Sequence, residues 1–179
     1  WIVKLDPKGE IIWDKTLGGE YTEEVKAIYE TKDGLVLFGQ TNSPENEKFN
    51  DFDWEVIQLS KTGELQATMR YGDEAEDILS SVYYDMEHET FYLAGVSQNQ
   101  DQRKLNIISL DTHLNQLKEV STEIDSNQII NSLLMTKQGE YLIAGSNMGY
   151  VKGENGEQKP SSVYNTFISV SYTHLRAHE

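Results

Sequence analysis

Cysteine is absent from the 179 residues. That excludes disulfides and cysteine-based zinc sites, and it leaves the redox compartment unread. Positive charge is also short: 15 lysines and arginines stand against 30 aspartates and glutamates, a net charge of −15. This argues against nucleic acid as a partner, because phosphate binding needs clustered Lys and Arg, and against an anionic membrane surface. The acidity itself reads as solubility rather than function. No stretch approaches the ~18 apolar residues that cross a bilayer, so no membrane insertion is expected in this segment. No leader-like segment is seen, and the chain opens on Trp1 inside a strand-like run. A longer parent chain, with room for a signal upstream, is the expectation.

Chemistry-bearing motifs are missing too. There is no nucleophile elbow, phosphate-binding loop, Rossmann fingerprint or HExxH pair. Arginine stands only at Arg70, Arg103 and Arg176. No catalytic residue, cofactor or metal site is expected.

What is present is a globular composition, 37% hydrophobic and 25% charged, enough for one domain with a sizeable core. The chain is organised around its opening, WIVKLDPKGEIIWDKTLGG, Trp1 to Gly19. Two short strands flank Asp6-Pro7-Lys8-Gly9, which supplies Pro and Gly at turn positions, so the strands are antiparallel neighbours. A weaker copy, WEVIQLSKTGELQATMRYG, begins at Trp54, and a third, LNIISLDTHLNQLKEVS, at Leu105. Between copies lie further strand pairs. Val25–Thr31 reads as a strand, although EEVKAIYE also suits a short helix. Lys32-Asp33-Gly34 is a turn. LVLFGQ reads as a buried strand whose Gly39 allows close backbone approach.

Aligning the copies pairs Asp6 with Ser60 and Asp111, Gly9 with Gly63, Gly19 with Gly72, and Gly39 with Gly95 and Gly145. Four short strands recurring at a period of about 50 residues mark a β-propeller blade. The expected fold is all-β: a propeller fragment of roughly three and a quarter four-stranded antiparallel blades, against the ~4–8 of a closed ring. The divisions are an outer half-blade at 1–19, blades at 20–72 and 73–121, and a partial blade at 122–170. Remaining blades of a full-length chain would be the first partner of this segment. A sandwich or a solenoid is the alternative architecture.

The quoted copies resemble the repeats of secreted or lipid-anchored bacterial β-propeller proteins, some of them described as bulb-type-lectin-like. KLDPKGEIIWDKTLGG is also similar to the repeat of pyrroloquinoline-quinone-type propellers, whose Trp docks between blades. The resemblance implies the architecture and an extracellular or cell-envelope setting. The chain departs from both patterns. The docking Trp occurs only at Trp13, Ala67 takes its place in the second copy, and the lectin motif QxDxNxVxY is absent. The ending VSYTHLRAHE resembles translated adapter read-through found on unrelated metagenomic predictions, so 171–179 is set aside as a non-native tail, with His174 and His178 in it.

Each candidate residue has a bland and a functional reading. Trp1, Trp13 and Trp54 read as core packing before sugar platforms. Asp6 and Asp111 read as turn residues bonding their own backbone; Ser60 at the equivalent place permits that role and not a catalytic carboxylate. Gly9, Gly19, Gly39, Gly63, Gly72, Gly95 and Gly145 read as structural. His88 and His113 lie in exposed turns. The acidic loops could offer oxygens to a ligand at Glu20, Glu23, Asp73, Glu74, Glu76 and Asp77, but none has EF-hand spacing. The expected function is a non-catalytic module that binds a protein or glycan through the loops Gly18–Glu24, Gly72–Asp77 and Ser121–Asn127. The alternatives are a propeller enzyme, quinone- or metal-dependent or a hydrolase, with its site on the channel axis, and a structural surface scaffold.

Overall fold

The computed structural model describes residues 1–43, 51–72, 75–99, 102–125, 128–152 and 158–171. The expected tail from 172 onward, with His174 and His178, lies outside them, as do Asp73 and Glu74. The described residues are all-β, with no helix, in four antiparallel sheets. Strands β1 (Ile2–Leu5) and β2 (Ile11–Lys15) make a hairpin. β3 (Glu23–Glu30), β4 (Leu35–Thr41), β5 (Asp53–Leu59) and β6 (Leu65–Tyr71) form a four-stranded sheet in chain order. β7 (Glu76–Asp85), β8 (Thr90–Gln98), β9 (Arg103–Asp111) and β10 (Gln116–Glu123) form a second. β11 (Gln128–Met135), β12 (Tyr141–Lys152) and β13 (Gln158–Ser171) form a three-stranded third. The chain divides into two compact units, Trp1–Leu79 with Ser97–Asn99, and Ser80–Val96 with Gln100–Glu179.

In the first unit the middle strands carry the core. Val36, Leu37 and Phe38 of β4 and Trp54, Val56 and Leu59 of β5 are buried. The outer strands β3 and β6 are mostly exposed, and β3 carries Glu23, Glu24, Lys26 and Glu30, charges that keep its edge soluble. The segment EEVKAIYE resolves as strand: its backbone pairs with β4 from Glu23 opposite Thr41 to Glu30 opposite Leu35. Sheet pairing overrides the helical option that its local composition leaves open.

One irregularity recurs. The register of β3 shifts between Val25 and Ala27, opposite Gly39. The register of β11 shifts between Ile130 and Ser132, opposite Gly145. At Gly39 an added β-carbon would collide with the backbone carbonyl of Glu24. The bulge thus presses one backbone against the other, and only glycine leaves room.

The hairpin turns share one chemistry. Asp6 Oδ1 accepts the N–H groups of Lys8 (2.8 Å) and Glu10 (2.9 Å). Ser60 Oγ accepts those of Thr62 (3.2 Å) and Glu64 (3.1 Å), and Asp111 Oδ1 those of His113 and Asn115, both 2.9 Å. Three residues on, the backbone turns left-handed: Gly9 at φ +86°, Gly63 at +82°, and in the third copy a leucine, Leu114, at +67°. The hairpins between the first two strands of each sheet use the same device: Thr31, Asp85 and Thr136 each accept a nearby backbone N–H.

Among the aligned glycines, Gly19 has open space around it. Its neighbour Gly18, at φ +119°, is the constrained one, with Glu23 folded against it. Gly72 is hemmed in by the carboxylates of Asp53 and Asp77. Gly95 is buried inside β8.

In the second unit, Ala94 and Val96 of β8 and Leu105 and Ile107 of β9 pack against Ile130 and Leu133 of β11 and Tyr141 and Ile143 of β12. Two sheets therefore meet face to face, each covering an apolar surface the other could not bury alone. A hydrogen bond crosses between the same two sheets, Leu133 N–H donating to the Ser81 side-chain Oγ at 3.1 Å.

Candidate functional site

Four of the acidic residues singled out from sequence, Glu20, Glu23, Glu76 and Asp77, lie among the described residues. Glu23 is held locally: its Oε1 accepts bonds from Gly19 N–H (3.3 Å) and Ser43 Oγ (3.0 Å). Glu20 and Glu76 are exposed. Asp77 is buried, at 4% exposure, and its backbone N–H bonds the Phe52 carbonyl at 2.7 Å. Among the described residues, no group of three or more acidic or histidine side chains is arranged to hold a metal ion.

A small pocket of about 60 Å³ lies beside Glu23, with Trp1, Glu24, Gln40 and Glu55 in its wall. It has room for a few waters and not for a sugar ring. Burial pushes the Glu55 carboxyl above its ordinary value; the Arg70 guanidinium, Nε 3.6 Å away, offsets part of this, and Glu23 adds to it.

The second unit holds a larger feature, an open cleft of about 960 Å³. Alternation along β7 puts Tyr83 and Asp85 on one face, and both line the cleft. β8 adds Tyr92, and two cross-strand pairs complete the wall: Ser109 opposite Lys118, and Met135 opposite Tyr141. The tyrosines form a chain of ring contacts. Tyr83 and Tyr92 stack with centroids 6.2 Å apart at 28°, and Tyr92 meets Tyr141 edge-on at 6.1 Å and 68°. The Lys118 ammonium stands over the Tyr141 ring, 6.0 Å from its centroid.

Burial raises the Tyr92 phenol above its ordinary range, with the charge of Asp85 adding to the effect, and burial likewise raises Tyr141. Both hydroxyls therefore stay protonated at neutral pH as donors and acceptors. At the rim, Asp85 Oδ1 accepts the N–H groups of Glu87 (3.0 Å) and His88 (3.1 Å), and its Oδ2 lies 2.8 Å from His88 Nδ1. The bond to Asp85 and then its charge raise the His88 pKa. Burial pulls Asp85 upward, but the bonds from His88 and Glu87 outweigh it and hold the carboxyl below its usual value. His88 is exposed, in a turn open to solvent.

None of the acidic residues expected from sequence lines this cleft. His88 reads from sequence only as a turn residue. The missed signal is the recurrence of aromatics beside the first turn of successive sheets, Tyr83 and Tyr92 flanking one and Tyr141 following the next.

No protein-family model matches the chain. No curated protein matches it either. The crystal structure of a protein of unknown function from Bacteroides caccae is similar over 89% of this chain, with a TM-score of 0.49 and 13% identity. The chain spans 50% of that protein's length.

Proposed function

We propose that the four sheets are consecutive blades of a β-propeller, and that the module is non-catalytic and binds a glycan in the tyrosine cleft. Support for the blades comes from three features. Strands follow one another in chain order within each sheet. The same side-chain-capped turns recur from copy to copy. In the second unit, sheets stack face to face.

The observation that carries the binding reading is the cleft itself. Sugar rings offer apolar C–H faces to aromatic rings and hydroxyls to polar groups. Tyr83 and Tyr92, both half-buried, supply the rings, the buried Tyr141 backs Tyr92 edge-on, and Asp85, His88 and Lys118 supply polar groups around them. An extracellular or cell-envelope setting fits such a ligand.

A glycan array followed by titration calorimetry tests the reading. Wild type is expected to bind at least one oligosaccharide class, Tyr83→Ala to weaken that binding about tenfold, and Tyr83→Phe to retain most of it. Unchanged binding by Tyr83→Ala, or no glycan bound at all, overturns it.

A further inference from the structure

We infer that the ligand of the cleft is an acidic sugar, with its anionic group seated at Lys118; this rests on the glycan reading above. In a chain of net charge −15, a polyanion is repelled at long range, so a site for one must supply positive charge locally. Lys118 does so. It is partly buried on the cleft wall and held over Tyr141. It makes no ion pair with any carboxylate among the described residues. Lys137, on the turn between β11 and β12, adds a second ammonium at the rim, likewise without an ion pair among the described residues.

The acidic groups of the cleft are less available to oppose a ligand. Asp85 is engaged by two backbone N–H groups and the His88 ring, and the raised His88 pKa favours a third positive charge beside it. Glu87 is the remaining negative group, exposed on the rim, where salt screens it. Lys118 is thus placed to make a charge-assisted bond from within a partly dewatered wall, in the same cleft as the half-buried Tyr83 and Tyr92 rings that would take the sugar.

The test compares oligogalacturonate with its methyl ester, which has the same backbone and no charge, and adds a sulfated oligosaccharide as a second anionic source. Calorimetry on the full chain is expected to give about tenfold tighter binding of the acid than of the ester, with the gap shrinking in high salt. A tighter-binding sulfated sugar would equally support the anionic site and would name sulfate as the group. Lys118→Met is expected to abolish the gap, so that acid and ester bind alike, and Lys118→Arg to preserve it; a thermal melt checks that both variants fold. Equal binding of acid and ester with no tighter binding of the sulfated sugar, or a gap that survives Lys118→Met, overturns the inference and leaves the glycan reading standing. Failure of every sugar to bind overturns both.

Discussion

The ring of Trp13, on the opening hairpin, lies over Gly63, on the turn joining β5 and β6: a β-carbon on that glycine would stand 3.2 Å from the indole. Beside it Lys15 Nζ reaches Glu64 Oε1 at 2.8 Å. The hairpin is thus fastened to the next sheet by one aromatic contact and one surface ion pair. The aromatic contact dominates, since exposed pairs contribute about 0–1 kcal/mol.

Gly63 carries two constraints, the left-handed φ and the Trp13 ring. Gly63→Ala is expected to cost about 1–3 kcal/mol, from backbone strain and the forced shift of the indole. A lowered urea midpoint with a shifted tryptophan emission would register both. Trp13→Ala should change stability without altering the turn.

Leu114 holds the left-handed position that Gly9 and Gly63 hold in the other copies, and it is buried at 2% exposure. Glycine there would relieve about 1–2 kcal/mol of strain. Losing the buried side chain costs about 2–5 kcal/mol. Packing therefore wins, and Leu114→Gly is expected to lower the melting temperature. A higher one would show that the strain outweighs the packing.

Gly39 faces the bulge of β3, where any side chain meets the Glu24 carbonyl. Gly39→Ala is expected to destabilise by about 1–3 kcal/mol, since backbone must move. Hydrogen exchange should locate the loss at β3 and β4 and not across the whole chain.

The titrating groups pull stability in opposite directions. For Asp111, burial pulls the carboxyl upward, but the bonds from Asn115 and His113 prevail and lower it. Asp85 is also lowered. Their contribution is present above the unfolded value near ~3.9 and is lost as pH falls through their lowered folded values. Glu55 is raised, so its ionisation costs stability as pH rises from the ordinary glutamate value through the raised one. Glu55→Gln is expected to be more stable relative to wild type at pH 7 than at pH 4, and Asp111→Asn to flatten the loss of stability in acid. Chemical denaturation at the two pH values measures both.

The strands and turns were legible in the sequence because their causes are local. Asp6, Ser60 and Asp111 each sit one residue before a turn and cap it with their own oxygen, and Gly9 and Gly63 stand at the same offset. Leu114 was not legible as a left-handed residue, because what tolerates it is burial and not local chemistry. The cleft was hidden for a similar reason. Tyr83, Tyr92, Lys118 and Tyr141 come from four strands across two sheets, and the recurrence of aromatics beside the first turns does not by itself show that they meet. The acidic loops carry the plainer sequence pattern, and there Asp77 is buried, its backbone tied to Phe52.

The most direct test of glycan binding in the tyrosine cleft is where a sugar touches the chain. In an amide and side-chain chemical-shift titration with the best-binding oligosaccharide, the largest changes are expected at Tyr83, His88, Tyr92, Lys118 and Tyr141. Changes confined to Gly18–Glu24 or to the Asp77 region, with the tyrosine cleft silent, would contradict it.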